Sequence, residues 1–229
     1  MKPIMIITGA GSGLGAALAH IYMSNGAHVC LLGRSEDKLL RAIEGVKGSY
    51  SVYEVDVRNF DEVHHVICTI EKEHGTIDML INNAGVGFFG EAEAISPEAT
   101  SQMLDTNVKG TIYITQAVLP QMKKENKGTI VNIISTAGRQ GKANESVYCA
   151  SKYAVRGFTE SLQEELKETS IRISGIYMGG MDTPFWDNSF GQEQRAKMMR
   201  PHDVAEIIYA NLEERPQLSV EEVLIKNKK

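Results

Sequence analysis

The sequence is short of several things, and each shortage removes a class of protein. Its three cysteines, Cys30, Cys68 and Cys149, have no metal-ligand spacing and leave an odd count. That argues against a disulfide framework and predicts small core residues in a reducing, cytoplasmic interior. Long apolar runs are absent too. The first, Ile4 to Ile7, has four residues, too few for a membrane span or a secretory leader. No basic surplus exists: 24 Lys and Arg against 29 Asp and Glu give a formal net charge of −5, the wrong sign for a nucleic-acid partner. What remains is 42% hydrophobic and 23% charged over 229 residues, an ordinary soluble composition with length for one sizeable core. A single domain over residues 1–229 is the expectation.

Along the chain, short apolar runs alternate with stretches of helical spacing. Ile4–Thr8, His28–Leu32, Ser51–Val55, Met79–Asn82, Gly128–Ser135 and Ile171–Tyr177 read as strands, with Val223–Ile225 as a possible seventh. Helices are predicted from Leu14 to Asn25, from Ser35 to about Val46, from Phe60 to His74, from Ser96 to about Lys124 with a bend at Pro120, from Ser146 to about Thr169, and from Pro201 to Glu213. Strands apolar on both faces, each followed by a helix, predict an α/β, Rossmann-type doubly wound parallel sheet of six to seven strands with helices on both faces. Ligands bind such sheets in the crevice at the carboxyl ends of the strands.

The chemistry-bearing residues gather at those ends. The first turn reads T-G-A-G-S-G-L-G over 8–15, and glycine there lets a backbone approach a pyrophosphate at a helix amino terminus. The frame Gly9, Gly13, Gly15 lies nearest the strand end. Gly33 and Arg34 close the second strand where an acidic residue would hold ribose hydroxyls. The positive charge favours NADP(H) over NAD(H), which stays possible. Tyr148 and Lys152, four apart on a predicted helix, share one face. A neighbouring ammonium favours phenolate and lowers a tyrosine pKa from its usual ~10, making the phenol fit for acid–base catalysis.

T-G-A-G-S-G-L-G at 8–15, N-N-A-G at 82–85, Ser135 and Y-C-A-S-K at 148–152 together resemble the short-chain dehydrogenase/reductase family in its compact form, over nearly the whole chain. The resemblance implies that Gly9, Ser12, Gly13, Leu14 and Gly15 contact the cofactor phosphates, and that Asp56 and Val57 hold the adenine. Asn83, Ala84 and Gly85 would border the nicotinamide ribose, and Thr183 the carboxamide. It implies a catalytic set of Asn107, Ser135, Tyr148 and Lys152, with Asn107 breaking its helix locally and holding a water against the lysine. Ser135 would bind the developing oxyanion, Tyr148 give the proton, and Lys152 lower the phenol pKa and hold the ribose. No metal is implied. Met178-Gly179-Gly180 stands where the family usually has Pro-Gly. Met181 to Met199, with Phe185, Trp186, Phe190, Met198 and Met199, reads as a substrate lid, and Gly87, Phe88 and Phe89 as neighbours of its mouth. His64, His65 and His74 read as surface residues.

The expected activity is NADPH-dependent reduction of a small, fairly apolar ketone or aldehyde. The alternatives are an NAD-dependent alcohol dehydrogenase using the same residues and a nucleotide-sensing regulator without turnover. Partners implied are a carbonyl or alcohol substrate and, by resemblance, further copies of the chain in a homodimer or homotetramer, joined through the long helices that carry Asn107 and Tyr148.

Overall fold

Seven short strands, β1 (Ile4–Thr8), β2 (His28–Gly33), β3 (Ser49–Glu54), β4 (Met79–Asn82), β5 (Gly128–Ile133), β6 (Ile171–Met178) and β7 (Glu222–Ile225), form one sheet. A computed structural model describes residues 2–187, 191–215 and 217–228, so Phe190 of the expected lid lies outside the described residues. All pairings are parallel, in the order β3-β2-β1-β4-β5-β6-β7. The chain therefore changes direction across the sheet between β1 and β4, which opens a crevice at their carboxyl ends.

Alternation along each strand sends successive side chains to opposite faces. Met5, Ile7, Leu31 and Val131 pack on one side against α1 (Gly13–Ser24) and α7 (Pro201–Leu212). Ile6, Leu32, Leu80 and Ile130 pack on the other, against α3 (Phe60–His74), α5 (Thr111–Glu125) and α6 (Ser146–Leu166). Among the described residues, no helix is long and apolar enough to cross a membrane.

Two helices and one histidine differ most from the sequence-based expectation. Helix α2 (Glu36–Ala42) stops short of Val46, because Gly45 turns the chain through φ +75°. The helix expected from Ser96 to Lys124 is divided: α4 (Pro97–Met103), a wide π-helical turn over Leu104–Gly110, then α5, which continues through Pro120. His74 is not a simple surface residue. Its ring lies 4.2 Å from that of His28 and its Nε2 is 2.9 Å from the Tyr53 hydroxyl, whereas His65 is exposed.

A buried polar ladder ties the sheet to the helices behind the crevice. Asn82 Nδ2 donates to Thr115 Oγ1 (3.0 Å) and to Asn132 Oδ1 (2.9 Å), and Asn132 Nδ2 donates to Thr159 Oγ1 (2.8 Å). Each bond nets only about 1 kcal/mol, but breaking one strands a buried partner, so β4, β5, α5 and α6 keep a fixed register.

Candidate active site

A cleft of about 440 Å³ opens at the carboxyl ends of the strands. Gly9, Ser12, Gly13, Leu14, Arg34, Asp56, Val57, Asn83, Ala84, Gly85, Ser135, Tyr148, Lys152 and Thr183 all line it.

At one end is the amino terminus of α1. Ser12 precedes it in extended backbone (φ −168°) with no capping bond from its side chain, so the hydroxyl and the first-turn amides are open to an anion. The turn is held tightly from behind. Thr8 Oγ1 accepts from the amides of Asn83 and Ala84, both at 3.0 Å, and Asn83 Nδ2 donates to the Thr8 and Gly9 carbonyls at 3.0 and 3.2 Å. Gly9 (φ +65°) leaves no room for a side chain: an added Cβ would lie 2.9 Å from Ala84 Cα. Gly15 differs from its expected role. It does not line the cleft, and a Cβ there would fall 2.5 Å from the Gly9 carbonyl oxygen. Its function is close packing of α1 on the turn, while Gly11, outside the expected frame, does line the cleft.

Exposed Arg34 stands at the lip, and Lys38, one turn into α2, lines the cleft beside it. The Asp56 carboxylate is gripped by Arg58 Nε at 2.9 and 3.0 Å, which holds its pKa below the ordinary range.

At the other end, α6 presents Tyr148 and Lys152 on one face. Both are buried, with Nζ 5.8 Å from the phenol ring centroid. Lys152 Nζ donates to the Ile133 carbonyl at 3.0 Å, and burial pushes its pKa down to about 8. An ammonium has three donors, and this is one of them. The Tyr148 pKa departs from expectation: burial raises it, a hydrogen bond from Ser135 opposes the rise, and no lowering by Lys152 is resolved. Ser135 has φ +95° and ψ 152°, a region open essentially to glycine and costing about 1–3 kcal/mol for other residues. That strained turn aims its hydroxyl at the phenol.

Asn107 sits in the π-helical turn, buried and outside the cleft lining. Its Oδ1 accepts from Val86 N (2.8 Å), and its Nδ2 donates to Val86 O (2.9 Å) and Ser151 Oγ (3.0 Å). Ser151 Oγ in turn donates to the Tyr148 carbonyl (2.7 Å). The side chain is thus committed to protein, fixing the loop after β4 against the first turns of α6.

The segment expected to be a lid starts and ends at a bridge between Met181 and Met199. Thr183 is buried against Gly13, where an added Cβ would come within 3.0 Å of Thr183 Cγ2. Phe185 and Trp186 face the cleft, and Phe89 stacks on Trp186 at 4.9 Å and meets Tyr148 edge-on at 5.4 Å. Gly87, Phe88 and Phe89 are not in the lining. Phe89 backs the aromatic wall, Phe88 is 38% exposed, and Gly87 has no space for a Cβ between Phe89 and Phe185. Met178 and Gly179 do line the cleft, and Gly179 N donates to Ile225 O at 3.1 Å, which holds this loop to the sheet edge without a proline.

Sequence reasoning missed Lys38, Lys142 and Glu145, which also line the cleft. Position in the chain held the signal: Lys38 lies in the first turns of the helix that follows Arg34, and Glu145 immediately precedes the helix that carries Tyr148.

Fold and cleft together define an NAD(P)-dependent oxidoreductase. The chain belongs to the short-chain dehydrogenase family, whose sequence pattern matches residues 3–194. An uncharacterized oxidoreductase of Staphylococcus saprophyticus is 34% identical over 228 residues, 97% of this chain and 96% of its own. A short-chain dehydrogenase/reductase structure from Vibrio parahaemolyticus is 32% identical, with a TM-score of 0.88 over 98% of this chain and 96% of that one. The closed form of a serine dehydrogenase complexed with NADP+ is 31% identical, with a TM-score of 0.87 over 97% and 93%.

Proposed function

We propose that this protein reduces a small ketone or aldehyde with NADPH, with Tyr148 as the proton donor. The observation that carries the reading is the meeting of Ser135, Tyr148 and Lys152 with the glycine turn around one cleft. A pyrophosphate fits the open amides and Ser12 hydroxyl at the start of α1, and the paired charges of Arg34 and Lys38 suit a 2′-phosphate. The NADP+ of the related serine dehydrogenase supports that preference.

When bound, NADPH supplies the hydride that converts the carbonyl carbon to a carbinol. Ser135 donates to the substrate oxygen as negative charge gathers there. Tyr148 passes its phenolic proton to that oxygen and later regains one from solvent, so each turnover consumes one proton. The two N–H groups of Lys152 that Ile133 does not engage suit ribose hydroxyls, so the lysine acts as an anchor for the cofactor. Phe185 and Trp186 exclude water from above. We assign residues 181–199 to a lid on the same reasoning.

Tyr148→Phe tests the assignment. Turnover should fall by about 10²–10⁴, the usual contribution of one general acid, with NADPH affinity by fluorescence titration nearly unaltered. A variant that keeps its rate would show that another group delivers the proton.

A further inference from the structure

On the substrate side of the cleft, one side chain has no part in the reaction just described. Glu145 immediately precedes α6, which carries Tyr148. It lines the same cleft as Phe185 and Trp186, and its Oε2 is buried without a hydrogen-bond partner among the described residues. Lys142 Nζ stands 3.8 Å from that oxygen, a loose contact from a side chain that is itself 36% exposed. The other ionisable groups nearby are Tyr148 and Cys149, both neutral when protonated, and buried Lys152, which is committed to Ile133. A buried carboxylate oxygen held only by so loose an ion pair is costly. Burial pushes this carboxyl's pKa up against the pull of Lys142, as befits an acid awaiting a cation.

The walls suit the same occupant. Trp186 and Phe89 are stacked at 4.9 Å, and Phe185 packs edge-on to Trp186 at 5.0 Å. Aromatic faces attract cations and tolerate the methylenes that carry them. A neutral apolar ketone would fill such walls but leave Oε2 unpaired.

We propose that Glu145 and this aromatic wall form an ammonium subsite, so that the substrates are amino ketones and amino aldehydes whose amine lies close to the reacting carbonyl. The inference rests on the reductase reading for its chemistry but not for its binding.

The test separates the two. Protein saturated with NADP+, which reduces nothing, is titrated with aminoacetone, protonated at neutral pH, and with butanone, its neutral isostere. The fluorescence of Trp186, the one tryptophan of the chain, reports binding from inside the wall. Aminoacetone should bind about 10- to 100-fold more tightly, the worth of a hydrogen bond to a charged group. Glu145→Gln should shrink that ratio to about threefold or less, and Lys142→Ala, at an exposed position, should widen it by removing the competing cation. Equal binding of the two compounds to the unaltered protein, or a ratio that survives Glu145→Gln, overturns the proposal. If the ratio behaves as stated but NADPH is oxidised with no carbonyl compound, the subsite stands and the reductase reading falls.

Discussion

Replacing Lys152 by methionine should stabilise the protein while abolishing its chemistry. The ammonium is buried, with the Ile133 carbonyl at 3.0 Å as its hydrogen-bond partner among the described residues. Burial takes its pKa from 10.5 to about 8, and at ~1.4 kcal/mol per pH unit the folded protein carries a cost of about 3 kcal/mol while the lysine is charged. Methionine has similar bulk and no charge. It leaves the Ile133 carbonyl without a donor, a loss of about 1 kcal/mol, so the variant should be roughly 2 kcal/mol more stable at pH 7. The sign follows from linkage. Because the folded-state pKa lies below the unfolded one, the folded protein sheds this proton first, and between pH 8 and 10.5 the unfolded chain holds more protons. Wild-type stability therefore gains on the variant through that window, and the difference closes or reverses above it. Titrations of the buried tyrosines are common to both proteins and cancel in the difference. Urea unfolding at pH 7, 8, 9 and 10 measures the gap directly. A variant less stable at pH 7, or a gap that does not shrink as pH rises, would refute the claim that uncompensated burial dominates at this lysine.

Ser135→Gly should remove the backbone strain of φ +95° and raise thermal stability by about 1 kcal/mol, while turnover falls because the donor to the substrate oxygen is gone. Arg34→Ala combined with Lys38→Ala should weaken NADPH by about 10- to 100-fold and leave NADH affinity nearly as it was. Equal losses for both cofactors in a parallel titration would show that these side chains do not meet a 2′-phosphate.

The sheet was largely legible because its signal is simple: Ile4–Thr8 and Gly128–Ile133 are apolar on both faces, and only a covered parallel sheet explains several such runs in alternation with helices. The π-helical turn at Leu104–Gly110 was not visible to periodicity, since one extra residue per turn shifts the phase without breaking the pattern. It entered only through the resemblance carried by Asn107, whose actual bonds to Val86 and Ser151 depend on a loop some twenty residues upstream and a helix over forty downstream. His74 and Glu145 were missed for a related reason. Each is polar in a locally exposed context, and each owes its setting to segments distant in sequence: His28 and Tyr53 around the first, the cleft it shares with Phe185 and Trp186 for the second. Burial of that kind is a property of the tertiary arrangement, which no local window contains.

The same cleft can be located without any motif, from where the fold tolerates unfavourable groups. Behind it, Asn82, Thr115, Asn132 and Thr159 are joined by three buried hydrogen bonds. In front, within the one cleft, lie a serine in a glycine conformation, a buried ammonium with a single carbonyl, a phenol whose ionisation burial opposes, and a carboxylate oxygen with no donor. The first two cost stability at neutral pH, and a chain selected only to fold would have replaced them with a glycine and a methionine. Strain that gathers at one place and is braced from behind marks a working surface. The four groups also divide their tasks by chemistry: a donor to oxygen, an anchor for hydroxyls, a proton source and a seat for a cation. Lys152→Met and Ser135→Gly each relieve one of these costs, so both should raise stability as they lower turnover, whereas cutting the ladder with Asn132→Ala should lower both together.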